Sequence, residues 1–278
     1  MLAPAVLVAA LVAIGGTPAD EASMKHLVEA VRRGDYAAQN QAMAMGPAVG
    51  TVLTPLLADP DPEVRLLTLH CLQAAEASGT RDAAAAMLTD ADEAVRQAAR
   101  RMLDGSPDES VRDRVVNAIR VTRDDAERDL LVRLLGRIPK TRPEDVGALC
   151  RERTSSSCPL VLARLGDPSA RTAVRASIGT APDPGVLVDD LAYLVEGVEP
   201  RWLIGPLALL LDDRRDARFL HEAWGNGWSD TSTLRVCDVA VGLLAGLGVT
   251  PGFPTGGAAR YDDAQLAEVR RVARTAQP

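Results

Sequence analysis

The sequence contains few aromatic residues: three tryptophans, three tyrosines and two phenylalanines among 278 residues. Its apolar fraction of 47% consists mainly of alanine, leucine and valine, which suit close helix packing better than the core of a β-sandwich. Periodic runs of β-branched residues are also rare. The composition therefore favours an all-α fold, either as one or two ordinary domains or as one continuous array of helices.

Lysine is almost absent, since Lys25 and Lys140 are the only two and arginine supplies the other basic side chains. We attribute this bias to the base composition of the genome. The 31 basic residues are outnumbered by 38 acidic ones, for a formal net charge of −7, and they form no long basic cluster. Nucleic-acid binding needs a concentrated positive stripe. The sequence therefore predicts no nucleic-acid partner, and a basic patch assembled only in three dimensions stays open as an alternative.

Motifs for catalysis or cofactor binding are missing as well. The sequence has no GxxxxGK[ST] phosphate loop, no HExxH zinc helix, no GxSxG nucleophile turn and no GxGxxG dinucleotide motif. The three histidines, His26, His70 and His221, lack the partners that a catalytic base or a zinc site needs, so we interpret them as surface or boundary residues. We predict no catalytic residue, no cofactor and no metal.

The first 19 residues differ from the rest because they carry no charged side chain. An apolar stretch, Val6 to Ile14, is followed by two glycines and by Thr17-Pro18-Ala19, which is typical of a secretory signal peptide cleaved after Ala19. The usual basic residue near the start is missing, so a buried terminal helix or a misassigned start codon remain alternatives. The apolar stretch is shorter than the roughly 20 residues of a membrane span. We predict export to the periplasm or the medium, with no membrane span in the mature chain.

The four cysteines fit an exported protein. Cys150 and Cys158 flank a polar segment between two helical patterns, and we expect a disulfide between them if the chain is exported. Cys71 and Cys237 lie on apolar helix faces, where buried free cysteine is common. The absence of a CxxC pair argues against zinc or redox chemistry.

Two segments repeat each other 31 residues apart: DPDPEVR from Asp59 to Arg65, and DADEAVR from Asp90 to Arg96. Each lies between two apolar helical runs. A period of about 30 to 45 residues, with a helix on either side of a short turn, indicates an array of stacked helix pairs.

The spacing from aspartate to arginine in these segments resembles the HEAT repeat, in particular the short bacterial form also found in phycobilisome lyases. In that family the aspartate lies in the turn between two helices and the arginine near the start of the second helix. The resemblance implies that Asp59 and Asp90 accept backbone N–H groups, and that Arg65 and Arg96 bridge to the acid of the neighbouring repeat. We refer to these four residues as the repeat ladder and predict an architectural role for them.

The resemblance also implies a right-handed α-solenoid of stacked antiparallel helix pairs. This solenoid would follow the signal peptide that the leader residues 1–19 predict. We place one HEAT-like solenoid over residues 20–278, with no linker long enough to divide it. Its clearest repeats cover 47–138, its degenerate repeats 139–248, and a capping loop and helix 249–278.

The sequence also predicts several helix boundaries. Ala48 to Leu57 is expected to form one helix, and Arg214 to Trp224 another. Ser106, followed by proline and two acids, is expected to cap a helix that ends near Val121.

All three tryptophans, Trp202, Trp224 and Trp228, fall within 27 residues. They form either a local core that seals the end of the solenoid or a contact with a partner, because tryptophan often dominates binding energy at interfaces. We predict an exported, non-enzymatic scaffold or adaptor that binds protein or peptide partners through the solenoid surface. The alternatives are a cytoplasmic modifier, similar to phycobilisome chromophore lyases or HEAT-like DNA glycosylases, and a structural component of the envelope.

Overall fold

The computed structural model describes residues 21–198, 200–217, 234–255 and 259–276, and these residues are mostly helical. The all-α prediction is confirmed. The α-helices are, in chain order, α1 (Glu21–Arg32), α2 (Ala38–Met45), α3 (Gly50–Leu53), α4 (Pro62–Ala74), α5 (Thr80–Met87), α6 (Glu93–Asp104), α7 (Arg112–Val121), α8 (Asp125–Arg137), α9 (Pro143–Glu152), α10 (Cys158–Leu165), α11 (Pro168–Ile178), α12 (Pro184–Val195), α13 (Ile204–Leu209), α14 (Val236–Gly246) and α15 (Asp263–Ala276).

The chain forms two compact units, and the single HEAT-like solenoid over 20–278 stays a prediction. The amino-terminal unit extends to Asp124 and includes Arg137–Lys140. The carboxy-terminal unit comprises Asp125–Gly136 and the chain from Thr141 onward. The division begins where the repeat pattern weakens, because Thr122 occupies the position that an acid takes in the two earlier repeats.

Helix α4 is the centre of the amino-terminal unit. It packs against α2, α5 and α6, and α5 packs in turn against α6. Leu67, Leu69 and Leu72 of α4 are almost completely buried in these contacts. Burial of such leucines stabilises the fold by roughly 1.5–3 kcal/mol per side chain relative to the exposed state. The repeat turns lie at the start of α4 and of α6, so this packing fixes their positions.

The predicted helix over 48–57 is broken into shorter pieces. A 3₁₀-helix at Gly46–Val49 precedes α3, and a second one at Thr54–Ala58 follows it. Gly46 has a positive φ of 69°, which favours glycine, and Pro47 cannot donate the next helical hydrogen bond. These two residues end α2, and the chain continues in a 3₁₀-helix instead of the predicted α-helix.

One helical stretch in the described part of the chain, Ala38–Ala58, is long and apolar enough to cross a membrane by length and composition alone. A third of its most apolar window, 33%, is buried inside the structure. The buried side chains include Ala42, Val49 and Leu53, and both α2 and the 3₁₀-helix that ends this stretch pack against α4. The stretch therefore contributes to the core of its unit.

Ser106 does not cap the helix that follows it, so that prediction is wrong. The Asp108 carboxylate accepts the backbone N–H of Ser110 at 2.9 Å, and a 3₁₀-turn at Glu109–Val111 leads into α7. The Ser106 hydroxyl instead accepts a hydrogen bond from Arg81 at 3.0 Å. An ionised carboxylate attracts the partial positive charge of a helix start more strongly than a hydroxyl does.

Helix α10 is the centre of the carboxy-terminal unit and packs against α9, α11 and α12. Further along the chain, α14 packs against α12, α13 and α15. Val161 and Leu194 are completely buried, and Leu191 is nearly so. Two short strands, β1 (Asp216–Ala217) and β2 (Leu234–Arg235), pair antiparallel beside α14.

The predicted helix over 214–224 is wrong in its first residues, because β1 occupies Asp216–Ala217. The Asp213 carboxylate accepts the backbone N–H of Arg215 at 3.0 Å and also binds its guanidinium. Such a local bond offers the backbone an alternative to helical hydrogen bonding. The remainder of that predicted helix, from residue 218 to 224, lies outside the described residues.

Candidate functional site

The first repeat turn links two successive repeats through Arg65. Its Nε and Nη2 donate to the two carboxylate oxygens of Asp90 at 2.8 and 2.7 Å. Its Nη1 donates to the carbonyl oxygens of Asp59 and Pro60 at 2.8 and 3.0 Å. The planar guanidinium thus holds its own turn and the acid of the next turn at once, a geometry that lysine cannot reproduce.

The second turn has the same local geometry. Arg96 Nη1 donates to the carbonyl oxygens of Asp90 and Ala91 at 2.8 and 3.0 Å. The Asp90 carboxylate accepts the backbone N–H of Asp92 at 2.8 Å, as Asp59 does for Asp61 at 3.0 Å. The first aspartate of each turn therefore closes the turn.

Asp61 and Asp92, which were missed, are the residues that cap the second helices. Asp61 accepts the N–H of Glu63 at 2.9 Å, and Asp92 accepts that of Ala94 at 2.9 Å. A signal was available, since Asp61 precedes a proline, the residue favoured in the first helical turn. The motif is a pair of aspartates, one for the turn and one for the helix start.

The Arg65–Asp90 pair is shielded from solvent. The two side chains are 12% and 7% exposed. Burial alone would raise the pKa of Asp90, but the hydrogen bonds from Arg65 and from the Asp92 N–H outweigh it, so the pKa lies below its usual value. Asp90 is therefore ionised at neutral pH and anchors Arg65 through both oxygens.

The carboxy-terminal unit contains a loop of serines stabilised from two sides. The sulfur atoms of Cys150 and Cys158 lie 2.00 Å apart, as in a disulfide, and close the segment between α9 and α10. Within that segment, Ser155 Oγ donates to the Asp129 carboxylate at 2.6 Å, and the Ser156 hydroxyl donates to the other oxygen. Burial would raise the pKa of Asp129, but these serine hydrogen bonds keep it below its usual value.

Arg133 and Tyr193 connect α8 to α12. Arg133 pairs with the Asp190 carboxylate at 2.5 Å and donates to the Ser157 hydroxyl at 3.0 Å. The Tyr193 hydroxyl donates to the Arg133 carbonyl at 3.0 Å, beside Gly136. A Cβ at Gly136 would overlap that hydroxyl and would lie 2.6 Å from Val161 Cγ1. Only glycine allows this close approach.

A groove of about 560 Å³ opens beside this cluster. Helix α10 packs against both α11 and α12, and the groove runs over the start of α10 between the other two. Its walls include Val174 and Ile178 from α11, and Leu187 and Leu191 from α12. Volumes of 300–1,000 Å³ with mostly apolar walls are typical of ligand sites. No pattern in the sequence predicted this groove.

The charged residues that line the groove, within the described chain, are both acidic. Asp183 lies at the start of α12 and accepts the N–H groups of Gly185 and Val186 through Oδ1. Asp190 contacts Arg133, also through Oδ1. A carboxylate has two acceptor oxygens, so each group retains capacity for a further donor. The groove is therefore apolar inside and acidic along α12.

Trp202 lies in a 3₁₀-helix at Arg201–Leu203 and is half-buried. Arg171 and Arg175 of α11 place their guanidinium groups 5.5 and 5.6 Å from the centroid of the Trp202 ring. These cation–π contacts place Trp202 against its own unit, which favours the local-core interpretation for this residue. The other two tryptophans of the predicted cluster, Trp224 and Trp228, lie outside the described residues.

An ion pair at the start of α14 binds the segment that precedes α15. The Arg235 guanidinium binds both oxygens of Asp238 at 2.8 Å, and the Asp238 side chain is 0% exposed. Asp238 also accepts the Tyr261 N–H at 3.0 Å, while Arg235 donates to the Tyr261 carbonyl at 2.7 Å. This clamp holds the segment before α15 onto α14.

The remaining cysteines and histidines, which could take part in catalysis or metal binding, do not cluster with one another. Cys71 and Cys237 are buried free cysteines, and burial raises the pKa of Cys71 to about 11. His26 is exposed, and burial together with Arg101 lowers the pKa of His70. His221 lies outside the described residues. Within the described ranges, no group of three or more histidine, cysteine or acidic side chains is placed to hold a metal ion.

Comparison with known proteins gives no match. No protein-family model matches the chain, and neither the curated proteins nor the solved structures contain a significantly similar one. The functional interpretation therefore rests on the residues and contacts of this chain.

Proposed function

We propose that this protein is an exported, non-enzymatic adaptor built on a HEAT-like solenoid, and that it binds a protein partner through the surface of its helix pairs. The observation that carries the proposal is the bridge from Arg65 to Asp90. It joins equivalent turns of successive repeats, as the HEAT resemblance implies for this family. Proteins of such repeated architecture use their extended surfaces for binding.

Two features support export. The uncharged leader ends in small residues suited to cleavage after Ala19. The Cys150–Cys158 disulfide closes a loop in the carboxy-terminal unit, and disulfides persist in oxidising compartments such as the periplasm and the medium. A cytoplasmic modifier would gain little from either feature.

The adaptor role is tested by isolating a carboxy-terminally tagged chain from its native host after mild cross-linking. We expect one partner at a fixed ratio in the envelope or medium fraction. The control is the leader fused to the tag alone, which shares the export route without the helix pairs. Absence of any partner enriched over this control, in every fraction, would contradict the adaptor role.

A further inference from the structure

The groove between α11 and α12 has the length and the pattern of a helix-binding site. Its wall on α12 runs from Asp183 to Leu194, which is about 17 Å at 1.5 Å per residue. Three turns of a partner helix cover the same length, since one turn rises about 5.4 Å. A compact small molecule would fill only part of such a wall.

The side chains on both walls follow helical spacing. Val186, Leu187, Asp190, Leu191 and Leu194 of α12 line the groove as one stripe. Ala173, Val174, Ser177 and Ile178 of α11 form the facing stripe. Amphipathic helices bind grooves of this kind by inserting apolar side chains at positions i, i+3 or i+4, and i+7.

The rim of the groove adds a charge requirement. Asp183, which caps α12, and Asp190 within it are seven residues apart, or about 10 Å along the helix axis. A partner helix with basic residues two turns apart would place a cation near each carboxylate. Val186 lies between the two acids in sequence and is 56% exposed, so an apolar side chain at the rim remains available for contact.

We propose that this groove binds an amphipathic helix of the partner protein, with an apolar face and with basic residues about two turns apart. The proposal rests on the adaptor function and names the site and the chemistry of its ligand. Apolar contact with the exposed Val186 and with the groove floor would contribute to the affinity. The carboxylates would select basic over acidic helices, because like charges at an interface oppose binding.

The test uses a fluorescein-labelled helical peptide of leucine and lysine, and a peptide in which glutamate replaces each lysine. We expect saturable binding of the lysine peptide to the full chain, about tenfold or more tighter than the glutamate peptide. The Asp183→Asn/Asp190→Asn variant should lose most of this preference. Asparagine retains the capping acceptor at position 183, so the start of α12 is preserved.

The decisive variant is Val186→Lys, which places a bulky cation in the groove. It should weaken lysine-peptide binding about tenfold. The control is Leu209→Lys, because Leu209 is 72% exposed, belongs to the same unit and lies outside the groove lining. Both variants change the net charge equally. Nonspecific attraction between a cationic peptide and an acidic protein would therefore weaken by the same amount in both.

Equal binding of the two peptides would overturn the proposal, and so would equal effects of the two lysine substitutions. A lack of saturable lysine-peptide binding up to about 1 mM would overturn it as well. Capture of the native partner separates this proposal from the adaptor function. If Val186→Lys retains the partner as well as the wild type does, the groove assignment fails and the adaptor role stands. If no partner is captured by the wild type, the adaptor role itself fails.

Discussion

Replacing Arg65 with alanine tests whether the bridge between repeats stabilises the fold. The substitution removes four hydrogen bonds, two to Asp90 and two to backbone carbonyl groups of the turn. It also leaves the Asp90 carboxylate, which is only 7% exposed, without its main counter-charge. Breaking a fully buried pair in this way costs about 3–5 kcal/mol, so we expect about 2–4 kcal/mol for this partly accessible pair.

The expected loss is measured by urea unfolding followed by far-UV circular dichroism. Tryptophan fluorescence is unsuitable because no tryptophan precedes Trp202 in the sequence. The control is Arg81→Ala, which breaks the exposed ion pair with Asp108 in the same unit and should have a much smaller effect.

A double-mutant cycle isolates the bridge from the other contacts of its members. Asp90→Ala also removes the acceptor of the Asp92 N–H, but this loss occurs both with and without Arg65 and therefore cancels. We expect a coupling energy of about 1–3 kcal/mol between Arg65 and Asp90. A coupling below about 0.5 kcal/mol, the usual error of additivity, would refute the structural role assigned to the pair.

The other predictions concern acid stability, one glycine and the leader. Because the pKa of Asp90 is lowered by folding, its contribution is complete above the unfolded-state pKa of about 4 and is lost as the pH falls through the folded value, so Asp90→Asn should show a shallower acid unfolding profile. Gly136→Ala should destabilise the chain through steric overlap, whereas Gly147→Ala in α9, where the nearest neighbouring atom lies at 3.6 Å, should stabilise it by about 0.5–1 kcal/mol; chemical denaturation of both variants would contradict this if they moved together. The intact mass of the protein from its native host, with thiols alkylated before and after reduction, should match a chain that starts at Asp20 with the Cys150–Cys158 pair protected until reduction, and a full-length mass with four free thiols would refute export.

The sequence predicted those helices and turns that depend on contacts between residues close together in the chain. The helical class followed from composition, and the turns ahead of α4 and α6 followed from the repeated aspartate-to-arginine spacing, whereas the capping role of Asp61 and Asp92 was not predicted. The prediction at Ser106 failed because Ser106 and Asp108 are both suitable capping residues. The sequence alone does not show which of the two accepts the backbone N–H at the helix start.

The groove was not predictable because no local pattern encodes it. Val174 and Leu191 read as ordinary core positions on their helices, and they are nearly buried in the structure. The groove exists because α11 and α12 both pack on α10 and leave space between them. This arrangement depends on contacts between residues far apart in the sequence, which no local pattern reports.

The shared use of Asp90 constrains how this chain can change length during evolution. Asp90 closes its own turn and also accepts the arginine of the turn before it, so this one residue joins the two repeats. Duplicating a whole 31-residue unit would present the same acid to the same arginine again. Adding or removing whole repeats would therefore preserve this joint, and the array could change length without a new contact between neighbouring turns.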